Sequence, residues 1–475
     1  MSYIYTHGSG TVEDPYQIWT ANDLDGVRDH LGSSFIQMAD IDLSGWDWEP
    51  IGSPENPYLG TQDNPFTGKI DGNNFNISNL SCKIQTQPVG YIKQAGLIGM
   101  AEMATLVNIS LINVDIINNF GSVGALINTV GAGVLIENCK VNGRIEGYGG
   151  GLVARVDNIW SNIQKTTLIH NCSAFCDIQG DGEIGGLIGS VSSNQPPYSV
   201  KISNCYAIGD IHSDGLYIGG FISHIDGHIE ITDCYSISNV AGASFVGGFI
   251  GHYSQENGLI KNCYSVGKVI HQTLNSHYYG GFIGFSGGVV TPINCYYNSD
   301  IAGCTDDYKG EPRTTVEMTY PYLDPENIYA DWDFHKVWVH DKPTSKYPIR
   351  QTLRGGQFII DTCLVYGADR AFCEYRYLAH ILLQKTYFDN ETLMFGGYDV
   401  TQHIKNIDSK IYLPVRVIAQ DLLKLKVDWD EGNQQVHITG NASGPINDGY
   451  PHFIREMELA YRILKPITGG VVTYL

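Results

Sequence analysis

Two short phrases recur through the middle of the chain with the same spacing. The first is a cysteine that follows an asparagine or aspartate, and successive copies are 29 to 33 residues apart: Cys139, Cys172, Cys205, Cys234, Cys263 and Cys295. The second is a glycine-rich apolar phrase, for example GGFIG at 247–251 and again at 280–284. Two interleaved phrases with one period are typical of a solenoid, in which each repeat forms one coil.

The stretches between these phrases are short apolar runs separated by Gly, Asn and Asp. Such runs predict strands joined by tight turns, and roughly 30 residues per repeat suit one coil of a parallel β-helix. We therefore expect a mainly β fold: a right-handed parallel β-helix with an N-terminal capping helix, followed by a small α+β domain. The predicted divisions are an N-terminal cap with the first coils (1–78), the repeats (79–310), a C-terminal cap (311–354), the α+β domain (355–441) and a tail (442–475).

Stacking predicts the role of the repeated cysteines. Equivalent side chains of successive coils form columns at a strand spacing of about 4.8 Å, longer than the roughly 3.8 Å between Cβ atoms that a disulfide prefers. Zinc sites need close cysteine pairs with histidines, whereas the chain has an isolated C-x3-C at Cys172 and Cys176. One repeat carries Ile109 at the cysteine position. The pattern predicts reduced, buried thiols that pack as small apolar side chains, with no metal and no cofactor.

Two further columns follow from the same register. The residues before the cysteines are predicted to adopt the left-handed backbone of a bend and to hydrogen-bond from coil to coil: Asn79, Asn108, Asn138, Asn171, Asn204, Asp233, Asn262 and Asn294. The large apolar residues of the glycine-rich phrase are predicted to form an internal column: Leu97, Leu126, Leu152, Leu187, Phe221, Phe249 and Phe282.

Charge and composition narrow the classes of function. The chain has 475 residues, 55 glycines, 30 tyrosines and a formal net charge of −21. An acidic body repels phosphate backbones, so nucleic acid is excluded as a partner. The opening residues show no signal-peptide pattern, and no apolar run is long enough to cross a bilayer. These features predict a protein made in a cytosol, with reduced cysteines and without membrane insertion.

Residues 79–300, with VGGFIGHY, GGLIGSV and NCYSVGKV, resemble the GLUG repeats of bacterial and phage surface proteins. The opening segment 8–80, which includes GSGTVEDPYQIW, is similar to the segment that precedes such repeats, and 311–350 to the segment that closes them, so the resemblance covers about residues 8–350. It implies a surface module that is mostly non-catalytic, although some relatives are attached to proteases.

The two ends of the solenoid need caps, because an open β-helix exposes apolar residues and strand edges. At the N-terminal end, residues 20–32 predict an amphipathic helix with Thr20 as N-cap, Asp23 at N3 and Gly32 as its end. Residues 65–80 are predicted to form the first full coil. At the C-terminal end, three aromatic residues are predicted to plug the last coil: Trp332, Phe334 and Trp338.

Residues 411–440 resemble the copper amine oxidase N-terminal-like domain, also called a stalk domain. The matching motifs are LPVR at 413–416, VDWD at 427–430 and VHI at 436–438. The resemblance implies an α+β unit over 386–441, with a helix at 415–425 and a hairpin near Asp430–Asn433. It implies no copper chemistry, and no histidine-rich cluster is present here.

A binding surface is predicted from the residue after each cysteine. If the cysteines point inward, their successors point outward: Tyr206, Tyr235, Tyr264 and Tyr296. An exposed tyrosine column suits a sugar face or a protein partner. A buried aromatic ladder is the alternative, because a local bend changes the phase.

Catalytic and metal-binding candidates are few. Asp181 and Glu183 in GDGE are the best local carboxylate pair for a glycosidase, but a corner turn accounts for them equally well. Asp71 with Asp63 is a weak candidate for calcium, since no ligand-loop spacing supports it. The sequence shows no catalytic constellation.

These observations predict a non-enzymatic virion protein that recognises a host: a phage tail fibre, tail tip or baseplate-associated protein that binds a cell-surface glycan or protein. Its predicted partners are other tail proteins, the host surface and further copies of the chain, in a trimer. The predicted location is the virion tail, after synthesis in the host cytoplasm. A bacterial cell-surface adhesin and a polysaccharide depolymerase are the alternatives.

Overall fold

The computed structural model describes residues 2–53, 64–85, 94–158, 165–193, 200–254, 258–271, 278–288, 290–304, 309–319, 328–334, 336–340 and 347–354, and short strands between 357 and 439. The chain divides into two compact units, Met1–Trp338 and Val339–Leu475. This boundary lies inside the predicted C-terminal cap, whereas the sequence placed it after residue 354.

The first unit is the predicted parallel β-helix, since the strands of each sheet pair in parallel from coil to coil. Among the described residues, sheet A contains Tyr16–Ile18, Ser34–Gln37, Lys69–Asp71, Thr105–Val107, Leu135–Glu137, Thr167–His170, Val200–Ser203, Ile229–Thr232 and Leu259–Lys261. Sheet C contains Ile98–Ala101, Ile127–Val130, Val153–Asp157, Ile188–Ser192, Ile222–Asp226, Ile250–Tyr253 and Ile283–Ser286.

Sheet B lies between sheets A and C along each coil. It contains Ile41–Asp42, Asn76–Ser78, Ser81–Ile84, Ser110–Gly124, Lys140–Gly150, Ser173–Gly180, Ile184–Gly185, Tyr206–Ser213, Ile218–Gly219, Tyr235–Gly242, Val246–Gly247, Tyr264–Ser265, Val269–His271, Tyr279–Gly280, Tyr296–Asn298 and Glu311–Arg313. A coil runs from sheet A through the asparagine bend into sheet B, and then through the paired glycines into sheet C. The two repeated phrases are therefore the two corners that border sheet B.

The cysteine column lies inside the solenoid, as predicted. The six repeated cysteines and Ile109 are all 1% exposed or less, and the cysteines are free thiols. Each thiol donates to the carbonyl two residues upstream, as Cys205 does to Ser203 at 3.1 Å. The Leu/Phe column is likewise buried, and Phe221, Phe249 and Phe282 stack with centroids 4.6 and 4.8 Å apart. These columns make the core continuous along the axis.

We expect the column thiols to resist alkylation in the folded protein. Burial raises the pKa of the Cys172, Cys234 and Cys263 thiols well above the usual value, and the thiolate is the reactive form. Site-resolved mass spectrometry after iodoacetamide treatment checks this, with the partly exposed Cys304 as an internal control. The column should react only in denaturant, and native labelling at Cys234 would contradict its packed position.

The asparagine column also forms as predicted, with one correction. Asn108, Asn138, Asn171 and Asp233 have φ between 55° and 57°, and Asn138 Nδ2 donates to Asn108 Oδ1 at 3.1 Å. These bonds connect successive coils at the bend. The column therefore both shapes the corner and ties the coils together.

Asn79 does not belong to this column. The residue stacked on Asn108 is Gly72, because Lys69–Asp71 pairs with Thr105–Val107. Asn79 instead pairs with Asn113 in a second column. The segment 73–75 is longer than its counterpart in later coils, which shifts the register. Asp71 accepts from Asn73 N and Asn108 Nδ2, both at 2.9 Å. Asp63, its partner in the weak calcium candidate, lies outside the described residues.

The helix of the N-terminal cap begins where the sequence predicts and ends earlier than predicted. The α-helix Ala21–Asp25 begins at Thr20, whose side chain forms a capping box with Asp23. It continues as the 3-10 helix Gly26–Asp29 and ends before Gly32. Leu24 and Val27 are buried in the core. Two strands of sheet A, Tyr16–Ile18 and Ser34–Gln37, precede residue 65, so the first coil starts earlier than predicted.

The C-terminal aromatic residues cover the side of the solenoid, and the predicted end plug is wrong. The ring centroid of Trp332 lies 6.2 Å from those of Tyr264 and Tyr296. Trp338 lies 6.0 Å from Tyr235 and Tyr264. We call residues 328–334 and 336–338 the lateral strap, because they pass over three successive coils; Phe334 is partly exposed there. The short helices Ser299–Ala302 and Thr315–Met318 flank the last strand of sheet B.

In the second unit the described elements are strands and antiparallel hairpins. Trp338–His340 is a strand at the boundary, and the hairpin strands are Pro348–Arg354, Gln357–Ile360, Thr386–Asp389, Thr392–Phe395, Tyr398–Asp399, Lys405–Ile407, Lys410–Tyr412, Lys426–Asp430 and Gln435–Thr439. The pairing of Asp430 with Gln435 matches the predicted hairpin. The predicted helix at 415–425 and the tail lie outside the described residues.

Candidate binding groove

The predicted tyrosine column exists, but its predicted exposure is wrong. Tyr206, Tyr235, Tyr264 and Tyr296 are between 0% and 5% exposed. Tyr206 and Tyr235 stack at 4.7 Å, and Tyr235 and Tyr264 at 5.1 Å. These tyrosines are not part of the inner core cluster that contains the cysteines, so the alternation was correct. The lateral strap covers Tyr235, Tyr264 and Tyr296, and Tyr206 packs against Phe175 and Tyr235. The column is therefore not a free binding surface.

A second column of side chains, most of them aromatic, lies on the outside of sheet B, just before the glycine corner. We call it the aromatic column. Strand register places its members directly above one another: Ser122, Tyr148, Glu183, Tyr217, Phe245 and Tyr278. Tyr148, Tyr217 and Phe245 are partly exposed, and Tyr278 is 40% exposed. Solvent therefore reaches the rings of the aromatic column.

A second set of side chains, the facing column, stands opposite on the outer face of sheet C. Its members are also in register: Thr129, Arg155, Ser190, His224, His252 and Phe285. The two columns lie on either side of the glycine corner, and small residues such as Gly149, Ala154 and Gly189 form the floor between them. Together they define the groove, which runs parallel to the solenoid axis.

Ring contacts join the two columns over the later coils. The Tyr217 ring lies 4.8 Å from both the His224 and the His252 ring. Phe245 stacks on Tyr278 at 4.8 Å, and His252 stacks on Phe285 at 5.4 Å. Burial, with the neighbouring His224, lowers the pKa of His252 to about 4, so its ring is neutral at neutral pH. This part of the groove is lined by uncharged rings that stack on one another from coil to coil.

A cavity of about 480 Å³ lies at the other end of the groove, within the usual range for small-ligand sites. It occurs where the facing column has the small Ser190 and the aromatic column has Glu183. Tyr148, Arg155 and Asp181 also line it. Asp181 and Glu183, the carboxylate pair noted in the sequence, therefore belong to the connecting turn and also line the cavity.

Glu183, His224 and Ser254 form an acid–imidazole–hydroxyl series beside this cavity. His224 Nε2 is 2.9 Å from Ser254 Oγ, and His224 Nδ1 is 3.8 Å from Glu183 Oε1. The three side chains follow the order of a hydrolase triad. The 3.8 Å between His224 Nδ1 and Glu183 Oε1 is too long for a hydrogen bond, however. Ser254 Oγ also lies 3.2 Å from His252 Nδ1. We interpret the series as a polar ladder that orients His224 and His252. Within the described residues, no three metal-ligating side chains converge.

The sequence carried a signal for the groove that was not used. The aromatic column occupies the position two residues before the paired glycines, as in YIGG at 217–220 and FVGG at 245–248. The facing column is the residue that directly follows the five-residue glycine phrase, as in GGFISH and GGFIGF. Both positions face outward and repeat with the coil, so counting along the glycine phrase rather than the cysteine phrase would have found them.

The fold and groove define a β-solenoid with an external, ring-lined channel. No protein-family model matches the chain, so the GLUG and stalk-domain resemblances stay predictions. The chain is 29% identical over 415 residues to a protein of Evansella cellulosilytica named as a Gly-rich membrane protein, covering 71% of this chain and 45% of that one. It is also 29% identical over 195 residues to halomucin of Haloquadratum walsbyi, covering 39% of this chain and 2% of halomucin. This chain matches less than half the length of either relative.

Two solved structures show a similar course of the chain. One is a protein assigned as an immunoglobulin A1 protease from Bacteroides ovatus, with 20% identity, a TM-score of 0.49 and coverage of 73% of this chain and 95% of that one. The other is an IgA1 protease with 18% identity, a TM-score of 0.43 and coverage of 60% and 21%. Among the described residues, no helix is long and apolar enough to cross a bilayer.

Proposed function

We propose that this protein is a surface-acting recognition module that binds an extended glycan along the groove. The observation that carries the proposal is the aromatic column, in which partly exposed rings repeat at the spacing of the coils. Sugar rings pack their apolar faces against aromatic side chains, and polar groups nearby fix their orientation. Aromatic and polar side chains both line the groove along its length.

The geometry favours a chain-like ligand over a compact one. Successive coils are about 4.8 Å apart, close to the length of one sugar ring in an extended chain. A linear polysaccharide laid along the axis would therefore meet one coil with each sugar. The neutral His252 ring and the rings of Tyr217, Phe245 and Tyr278 extend this platform over three coils.

The place where the protein acts is part of the same proposal. The names of the two relatives, a membrane protein and halomucin, support a location at a cell surface. A virion tail is the other proposed location and follows from the GLUG resemblance. Immunogold microscopy with an antibody to the solenoid, on host cells and on purified particles, separates the two. Label confined to the cell wall would remove the virion proposal.

Tyr217→Ala is expected to weaken glycan binding at least about tenfold, equivalent to ~1.4 kcal/mol. The ring stacks against both histidines at 4.8 Å, so its loss interrupts the platform in the middle. Glycan-array screening followed by calorimetry of the best ligand measures the change. Trp19→Ala is the matched control, because Trp19 is 46% exposed and lies at the N-terminal end, away from the groove. Equal affinity of both variants would contradict binding in the groove.

The carboxylates in the cavity favour a second candidate, a polysaccharide depolymerase. A glycosidase needs two carboxylates that flank the scissile bond, and Asp181 and Glu183 both line the cavity. Prolonged incubation with the bound glycan, followed by measurement of new reducing ends, distinguishes the candidates. Cleavage that disappears in both Asp181→Asn and Glu183→Gln would establish the enzyme in place of the binding module.

A further inference from the structure

The aromatic column is interrupted once, by Glu183. Register places this glutamate between Tyr148 in one adjacent coil and Tyr217 in the other. A carboxylate thus occupies a position that its neighbours fill with rings. The interruption coincides with the cavity, which both Glu183 and Tyr148 line.

The Glu183 carboxylate has no strong cationic partner in the described part of the chain. Its ion pair is with the His224 ring, at 3.8 Å. Arg155 lines the same cavity, but its Nε donates to Thr129 Oγ1 at 3.2 Å, along the facing column. Burial raises the pKa of Glu183, because a desolvated carboxylate is stabilised less than one in water. A ligand cation would replace the missing counter-charge.

The surroundings of Glu183 also suit a cation. Aromatic faces attract ammonium groups, and a nearby carboxylate strengthens the attraction. Asp181 adds a second carboxylate at the cavity, and the net charge of −21 attracts cations from a distance. The rings of Tyr217, Phe245 and Tyr278 continue from this point along the groove, one in each successive coil.

We propose that the cavity at Glu183 binds the ammonium group of an amino sugar, so that the ligand of the groove is a glycan with free amines. This inference rests on the proposed function and specifies its substrate class. The sugar that carries the amine lies in the cavity, with its ammonium on Glu183. The following sugars lie on the Tyr217, Phe245 and Tyr278 rings.

The test compares three oligosaccharides of equal length: β-1,4-linked glucosamine, its fully N-acetylated form and the corresponding neutral glucan. Affinities are measured by calorimetry at a pH where the sugar amine is protonated. The wild-type protein should bind the free-amine form at least about tenfold more tightly than the other two. Glu183→Gln should abolish that preference, since the amide keeps the shape of the side chain and removes its charge.

Glu230→Gln serves as the matched control, because Glu230 lies on sheet A, which does not border the groove, and pairs there with Lys201 at 2.6 Å. This variant should keep the preference for amines. An oligolysine peptide of similar charge is the second probe. Peptide binding as tight as that of the glucosamine chain, with the same dependence on Glu183, would overturn the assignment to sugars.

Lowering the pH provides an independent readout. Because the pKa of Glu183 is raised, its carboxylate is neutralised at a higher pH than an exposed glutamate, while the sugar amine stays charged. The preference for amines should therefore decline as the pH falls through that range. Equal affinity for all three sugars at every pH would overturn the inference and leave the proposed function intact. If the protein bound none of these sugars and no other glycan, both the inference and the proposed function would be overturned.

Discussion

Tyr235→Ala is expected to lower the free energy of unfolding of the solenoid by about 3–5 kcal/mol, the usual cost of truncating a buried aromatic side chain. The residue is 1% exposed. Its ring stacks on Tyr206 and Tyr264 and lies 6.0 Å from Trp338. The substitution leaves a cavity under the lateral strap and breaks the stack at its centre. Urea unfolding followed by both circular dichroism and tryptophan fluorescence measures the loss.

Tyr278→Ala is the matched control for this prediction. It removes the same atoms from a ring that is 40% exposed, so we expect a cost of less than about 1 kcal/mol. Two probes are needed because solenoids can unfold in stages. If Tyr235→Ala unfolds at the same urea concentration as the wild type, the packing of Tyr235 under the strap does not stabilise the solenoid.

Gly219→Ala is expected to destabilise the solenoid by at least about 3 kcal/mol, at the upper end of the cost of inserting atoms into a packed site. A Cβ atom on Gly219 would lie 1.8 Å from the carbonyl oxygen of Ile222 and 2.8 Å from the amide nitrogen of Gly251. Both obstacles are backbone atoms, so no side-chain rotation relieves the clash. The corner itself must move, and the coils stacked on either side resist that movement. Thermal unfolding and the yield of folded protein measure the effect.

Gly32→Ala is the corresponding control. The nearest atom to a Cβ at Gly32 is Thr67 Oγ1 at 3.6 Å, an ordinary contact. We expect a change within about 0.5 kcal/mol. A wild-type melting temperature for Gly219→Ala would mean that the corner geometry tolerates a side chain, and the role of the paired glycines would need another explanation.

The interior of the solenoid was predictable from the sequence. Cys234 and Phe249 repeat with the coil, and a repeat of constant length places equivalent residues in one column. The burial of both, and the positive φ of Asp233 and Asn262 at the bend, follow from that register. The exception, Asn79, fails because one longer segment before it breaks the constant length. Periodicity predicts columns only as long as the repeats stay equal.

The candidate site was only partly predictable. Asp181 and Glu183 were found as a local carboxylate pair, and the structure adds the cavity around them. Tyr217 and His224 each occupy an outward position that the glycine phrase repeats, but nothing in the repeat shows that the two face each other across the glycine corner. Their contact, at 4.8 Å, depends on how the chain turns between sheets B and C.

The sequence by itself determined which residues of each coil point inward and which point outward, because strand alternation and a fixed repeat are local properties of the chain. The tertiary structure alone decided which outward face stays open to solvent. Trp338 hydrogen-bonds to Asp233, 105 residues earlier, and the lateral strap covers Tyr235, Tyr264 and Tyr296 and leaves the groove free. This contact occurs once and does not repeat with the coil, so the repeat pattern cannot predict it. Burial by a segment distant in sequence depends on the folded chain.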